Sequence, residues 1–235
     1  MIERAIIIAG GLGSRLQPPD SDGRLAAPKA MVSVGGKPLL ERNLEWLKAN
    51  GVSDVTLGVA HRKEKIVDHF GDGRRFGVRI RYSIHRIEDG TGDAFLKAMD
   101  ADPDLGPAFF AMNSDQLTDF PLQELGRRHL AEHSRPLATL LLVRPMLPFG
   151  VVETAPDGRV ARFSEKPRLE QTVNAGIYVF DPGIRPHLGG DIERSTFASL
   201  ADAGRLCGFR YDGFWETVNT AKDLERIEGA LGARV

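Results

Sequence analysis

Apolar positions along this chain follow two alternating rhythms. "RAIIIA" (Arg4–Ala9) is a short continuous apolar run, the pattern of a strand buried on both faces. "PLLERNLEWLKANG" follows at helical period, with Leu40, Leu44 and Leu47 on one face. Pro38 suits the first turn of that helix and Gly51 its C-terminal stop. The same exchange then repeats. "DVTLGVA" (Asp54–Ala60) reads as a strand, "RKEKIVDHF" as a helix and "VRIRYSI" (Val78–Ile84) as a strand. "GDAFLKAM" reads as a helix and "AFFAMN" (Ala108–Asn113) as a buried strand. The first 115 residues therefore read β-α-β-α-β-α-β, which predicts a mostly parallel sheet with helices on both faces.

The second half has a different pattern. "FGVVETAPDGRVARFSEKP" holds two alternating runs around Asp157-Gly158, a hairpin signal. "VNAGIYVFD" is a further strand, while "STFASLADAG" and "TAKDLERIEGALG" have helical character. No Pro/Gly/Ser-rich linker parts the halves. The expectation is one domain over 1–235, the second half extending the sheet of the first.

Composition narrows the function classes. The chain has 235 residues, 31 basic and 32 acidic, for a net charge of −1. That balance argues against a general nucleic-acid footprint. The longest apolar stretch, "LATLLLV", is too short to span a bilayer, and "MIERAIIIAGG" too short for a signal peptide. Cys207 is the sole cysteine, so no intrachain disulfide can form. A cytoplasmic protein is expected, with no membrane partner. The sequence leaves the oligomeric state open, a homo-oligomer included.

The candidate chemistry begins where the first strand stops. Ala9-Gly10-Gly11-Leu12-Gly13-Ser14-Arg15 is a glycine-rich turn at the C-terminal end of a first strand, the place where open α/β sheets bind ligands. It is not a dinucleotide fingerprint. Gly11 and Gly13 fit, but Leu16 stands at the third glycine, and the second strand ends Val59-Ala60-His61 with no acidic residue. The P-loop pattern fails too. Bare backbone N–H groups beside the guanidinium of Arg15 and the ammonium of Lys29 still point to phosphate.

Read together, "AGGLGSRL…PKAMVSVGGKPLLE" resembles the signature of the sugar-1-phosphate nucleotidylyltransferases. "FGDGRRFGVRIRYS", "DGTGDAFLKA", "NSD" (Asn113–Asp115), "FGVVETAPDGRVARFSEKP", "VNAGIYVFD" and "FWETVNTAKDLERIE" are similar to that family's later segments, in its order. The resemblance implies an α/β fold: a Rossmann-like, mostly parallel mixed sheet sandwiched by helices, of the nucleotide-diphospho-sugar transferase type. It implies a nucleotide-binding half (1–115) and a sugar-phosphate-binding half (116–235). It also implies a Mg²⁺-dependent reaction in which a sugar 1-phosphate oxygen attacks the α-phosphorus of an NTP and pyrophosphate leaves.

Carried over by motif, Arg15, Lys29 and Asp115 are the catalytic residues. Ala9, Gly10, Gly11, Leu12, Gly13, Ser14 and Arg15 hold the nucleotide, together with His85, Gly90, Thr91 and Ser114. Gly150, Glu165, Lys166, Asn174 and Gly176 take the sugar phosphate, and Asp115 binds metal. The chemistry suits these types, because phosphoryl-type transfer needs positioning and charge neutralisation more than covalent help.

Each residue also has a plainer role open to it. Asp115 can cap a turn. Lys166 can be a solvated loop lysine, and Glu165 a surface partner for an arginine. Asn174 can satisfy a backbone group, and Gly150 and Gly176 can merely permit strand crowding. His85, where many family members carry Gln or Glu, either reads the base or is a half-exposed strand residue.

The chain departs from the family pattern at several places. "LQPPDSDGRLAA", between Arg15 and Lys29, reads as a lid that orders on nucleotide binding. Ser114 replaces a glycine, which is tolerable if φ is not positive. No aspartate follows Trp215 where the family's second metal carboxylate stands. Thr217 or Asn219 fills the position, depending on register, and Thr220 with Asp223 has the spacing of a capping box.

The middle segment leans to GTP with a mannose- or heptose-type 1-phosphate, with UTP, CTP, dTTP and ATP open. A cytidylyl-, uridylyl- or thymidylyltransferase on another sugar phosphate, or on a non-sugar phosphate or phosphonate, is an alternative. So is a non-catalytic nucleotide-sensing regulatory subunit. No second acyltransferase-type domain is expected.

Overall fold

In the computed structural model the described residues are 1–13, 16 and 27–232. Ser14, Arg15 and most of the expected lid, 17–26, lie outside them. Strand β1 (Arg4–Ile8) leads through the glycine turn to a small hairpin, β2 (Ser33–Val34) and β3 (Lys37–Pro38). Helix α1 (Leu39–Ala49), strand β4 (Asp54–Val59), helix α2 (Lys63–Phe70), strand β5 (Arg79–Ile84), helix α3 (Thr91–Ala101) and strand β6 (Phe109–Asn113) follow as the periodicity predicts. Next come β7 (Gln116–Thr118), α4 (Gln123–Ala131), β8 (Ala138–Val143), β9 (Val151–Thr154), β10 (Val160–Ser164) and β11 (Val173–Phe180). A π-helical stretch (Ile192–Phe197) runs into α5 (Ala198–Asp202), and β12 (Leu206–Tyr211), β13 (Trp215–Thr217) and α6 (Ala221–Gly232) complete the order.

Seven strands form the main sheet in the order β12-β8-β11-β6-β1-β4-β5. All its pairings are parallel except those of β11, which runs against both β6 and β8. Alternate residues of β1 serve opposite faces, as a doubly covered strand requires. Ile7 packs with Leu40, Leu44 and Leu47 of α1, while Ile6 packs with Phe95 of α3 and with Phe109 and Tyr178. A smaller cluster of Val34, Leu39, Leu117, Val218 and Ile227 seats α6 beneath the β2–β3 hairpin.

One expectation needs correction. The β9–β10 hairpin forms, but as a separate two-stranded sheet that does not join the main one. Val151, Val152, Val160 and Phe163 are exposed, so the hairpin has no buried face to lay on the sheet. The second half reaches the main sheet through β8, β11 and β12 instead.

The site is positioned by this strand order. The chain moves from β1 outward to β4 and β5, then returns to place β6 on the other side of β1. Between β1 and β6 the connections diverge, which opens a crevice beyond the C-terminal ends of the strands.

Candidate active site

The two loops at that crevice are the glycine turn and "NSD". Ser114 follows β6, is buried, and donates its N–H to Ile8 O (3.1 Å), while its own carbonyl accepts from Asn43 Nδ2 (2.8 Å). Its φ is not positive, so serine is accommodated in the glycine's place. These bonds fix the next residue, Asp115, at the mouth of the crevice.

Ala9 is buried, and its N–H donates to Gly58 O (2.7 Å). Gly10 is required by its neighbour: a Cβ there would lie 2.3 Å from Cε1 and 2.5 Å from Nε2 of His85. Gly11 faces open space, and Leu12 is exposed. Gly13 has φ +70. Lys29 opens a 3₁₀ turn (Lys29–Met31) and donates its N–H to Gly11 O (3.2 Å), which ties it to the glycine turn.

The centre of the site is a cluster of Lys29, Asp115 and Asn219. Lys29 Nζ lies 2.5 Å from Asp115 Oδ2 and 2.7 Å from Asn219 Oδ1. Gln116 Nε2 donates to the other carboxylate oxygen, Asp115 Oδ1, at 2.5 Å. Residue 219 reaches this place through strand pairing. β13 runs antiparallel to β7 with Thr217 opposite Gln116, and Val218 N–H donates to Asp115 O (2.9 Å). Of the two residues left open by the sequence, Asn219 is the one whose side-chain oxygen shares the Lys29 ammonium with Asp115. Thr217 supports it, its Oγ1 accepting from Asn219 Nδ2 (3.0 Å). The capping box at α6 forms as well: Asp223 Oδ2 accepts from the N–H groups of Thr220 (2.8 Å) and Asn219 (3.1 Å), and Asp223 N–H donates to Thr220 Oγ1 (3.3 Å). Asn219 thus uses its backbone for the cap and its side chain for the cluster. Burial raises the Asp223 carboxyl, but these hydrogen bonds and nearby Arg226 outweigh it and hold the group below its ordinary range.

A second-half strand joins the cluster. Gly176 in β11 has φ +72, and a Cβ there would lie 2.7 Å from Gln116 Nε2, the donor to Asp115. Asn174 turns its oxygen to Gly176 N–H (2.9 Å) and its Nδ2 to the buried Tyr178 hydroxyl (2.9 Å). Burial pushes that phenol up, opposed by the Asn174 bond and reinforced by the charges of Glu193 and Asp115. Thr91, at the start of α3, donates to Glu193 Oε2 (3.3 Å) and accepts from Ile192 N–H (3.2 Å). Gly90 packs on the 190 turn, with Gly190 O 2.1 Å from where its Cβ would stand. The Glu193 carboxyl is held above its ordinary range, first by desolvation and then by the neighbouring Asp191.

His85 is not a half-exposed strand residue. It lies just past β5, buried against Gly10, with Nδ1 donating to Arg86 O (3.1 Å) and Nε2 without a partner among the described residues. On the hairpin, Gly150 and Glu165 adjoin: a Cβ at 150 would lie 3.0 Å from Glu165 Oε2. Glu165 pairs with no arginine among the described residues. Lys166 is exposed with φ 44, an L-residue in the left-handed region. No hydrogen bond or ion pair links Gly150, Glu165 or Lys166 to Asp115 among the described residues.

Gln116, Tyr178 and Glu193 escaped the sequence reading. Only Gln116 left a trace, as the residue after "NSD". The other two lie on β11 and the π-helical stretch and meet the site through tertiary packing.

Among the described residues no helix is long and apolar enough to cross a membrane. Nor do three or more His, Cys, Asp or Glu side chains gather as a metal cluster there. The donor set at Asp115 and Asn219 nevertheless fits a hard cation, since a carboxylate and an amide oxygen already converge on one positive charge.

The family model described as "Nucleotidyl transferase" matches residues 4–203. A mannose-1-phosphate guanyltransferase of Neurospora crassa is 32% identical over 232 residues, covering 94% of this chain and 62% of its own length. The mannose-1-phosphate guanylyltransferase catalytic subunit beta of Xenopus tropicalis is 31% identical over 230 residues with the same coverage. The chain thus spans about three-fifths of the length of these relatives. A crystal structure from Bacillus anthracis, described as a glucose-1-phosphate thymidylyltransferase, superposes with a TM-score of 0.75 at 21% identity, covering 99% of this chain and 96% of that one. That likeness establishes the fold.

Proposed function

We propose that this chain, which belongs to the nucleotidyl transferase family, couples a nucleoside triphosphate with a sugar 1-phosphate to give a nucleotide sugar and pyrophosphate. The observation that carries the reading is the Lys29–Asp115–Asn219 cluster, set beside the glycine turn at the crevice between β1 and β6. A phosphate oxygen of the sugar phosphate forms a bond to the α-phosphorus while the bond to the β-phosphate bridging oxygen breaks. The step concentrates negative charge, so the required tools are cations and oriented N–H groups.

In this reading the backbone at Gly11, Leu12 and Gly13 cradles the nucleotide phosphates and Lys29 meets the reacting ones. Arg15, outside the described residues, takes the outer phosphates. Asp115 and Asn219 would hold a Mg²⁺, which would supply neutralisation of phosphate charge there. Gly150, Glu165, Lys166, Asn174 and Gly176 form the sugar-phosphate side, with Gly176 also leaving room for Gln116. GTP with mannose 1-phosphate is the favoured pair, because the relatives that cover most of this chain carry that name. A cytoplasmic enzyme fits substrates of this kind.

The test is a matrix of five nucleoside triphosphates against a panel of sugar 1-phosphates, scored by pyrophosphate release. GTP with mannose 1-phosphate should turn over fastest. Pyrophosphate from no pair would leave the non-catalytic reading in its place.

A further inference from the structure

Lys29 occupies the point at which the two oxygen ligands converge. Its ammonium bonds Asp115 Oδ2 and Asn219 Oδ1, while Gln116 holds the other Asp115 oxygen and Thr217 holds the Asn219 amide nitrogen. The charges of this group balance: one carboxylate, one ammonium and a neutral amide. The pair is sheltered, with side-chain exposures of 14% for Lys29 and 21% for Asp115, so salt screens it less than a surface pair. A divalent ion arriving from solution therefore meets a neutral and filled seat, and would have to push an ammonium aside against like charge. With a second carboxylate at position 219 the group would keep a net negative charge and still attract a cation. Asn219 removes that surplus.

The lysine is also built to leave. Its backbone is held by Gly11 O and by the 3₁₀ turn, so the four-carbon stem can swing while the main chain stays beside the glycine turn. We propose that Lys29 is the resident cation of the Asp115–Asn219 seat, closing it to free divalent metal until the phosphates of a bound triphosphate draw the ammonium away. The identity of the opening ligand rests on the nucleotidyl transfer reading; the closure itself rests on these three side chains. Metal then enters with the triphosphate, not ahead of it, and removing the lysine charge turns the seat into a standing metal site.

The test is Mn²⁺ binding to the protein without either substrate, followed by the electron paramagnetic resonance signal of unbound Mn²⁺. Lys29→Met should bind Mn²⁺ on the order of tenfold or more tighter than wild type, as expected when a charge competitor is removed from a sheltered site. Adding Asp115→Asn should abolish the gain. Lys29→Gln, which keeps a donor for Asp115, gives the same readout if Lys29→Met does not fold. Equal affinity in wild type and both lysine variants overturns the proposal. Because neither substrate is present, such a result leaves the activity reading standing, and an inactive enzyme leaves this one standing.

Discussion

Gly10 and Gly11 are neighbours in one turn, yet their surroundings differ, and alanine at each separates packing from ligand approach. At Gly10 the added Cβ would sit 2.3 Å from His85 Cε1, 2.5 Å from Nε2 and 2.9 Å from Ala60 Cβ. The ring cannot yield cheaply, because it is buried, bonded at Nδ1 to Arg86 O and backed by Gly58, whose own added Cβ would lie 3.6 Å from His85 Cδ2. Overpacking of this kind costs about 1–3 kcal/mol. At about 2–4 °C per kcal/mol for a chain of this size, a central cost of ~2 kcal/mol lowers Tm by roughly 4–8 °C. At Gly11 the Cβ meets nothing within 4 Å and φ is not in the left-handed region, so Gly11→Ala should leave stability within about 0.5 kcal/mol. On the proposed nucleotidyl transfer reading it instead puts a methyl where phosphate oxygens approach the backbone, and nucleotide affinity should fall by roughly tenfold or more, the equivalent of about 1.4 kcal/mol. The assays are differential scanning calorimetry and isothermal titration with the triphosphate. The double variant Gly10→Ala/His85→Ala isolates the clash, since the two changes should be non-additive by on the order of 1 kcal/mol or more. An unaltered Tm in Gly10→Ala, or additive costs in the double variant, refutes the packing argument.

Three further outcomes follow from the same geometry. Thr220→Ala removes the hydroxyl that caps α6 and should cost about 1 kcal/mol, read as a Tm fall of about 2–4 °C, with no loss expected only if the cap does not form in solution. Lys166→Gly takes away a cation while relieving a left-handed φ, so Tm should not fall, whereas KM for the sugar phosphate should rise more than KM for the triphosphate; an equal rise in both would place Lys166 elsewhere. His129 is buried beside Thr139, and desolvation lowers its pKa, partly offset by Asp181. Its folded value therefore lies below the unfolded one, so its neutral form supports stability above about pH 6.5 and that support is lost as the pH falls from there toward the folded value. The Tm advantage of wild type over His129→Gln should shrink between about pH 7.5 and pH 5.5, and a constant gap would show that His129 does not titrate with unfolding.

The parts of this molecule legible in its sequence are those set by local period and by short motifs. Apolar runs such as "RAIIIA" and "AFFAMN" become central strands because both faces of the sheet are covered, and Ile6 and Ile7 duly pack on opposite sides. The capping box at Thr220 and Asp223 is legible for the same reason, since three residues suffice to form it. What stayed closed depends on pairing between distant segments. Which of Thr217 and Asn219 stands beside the Asp115 cluster is decided by the β13–β7 register, which joins residues about a hundred positions apart: a shift of two residues would exchange them, and a shift of one would bring Val218 there instead. The hairpin shows the limit from the other side. Its alternation and its Asp-Gly turn specify two paired strands, but alternation alone does not say whether the apolar side finds a partner. Here Val151, Val152, Val160 and Phe163 find none within the described residues. Lys29 joins both lessons. The motif marks it as a cation near phosphates, a role of residue type and position. That its ammonium rests on Asp115, 86 residues away, and on Asn219, 190 residues away, follows only from a sheet that returns β6 to the side of β1 and a two-stranded ribbon that brings β13 to β7. The chemistry of the cluster is therefore written in the strand order, and each of its three residues is ordinary when considered without it.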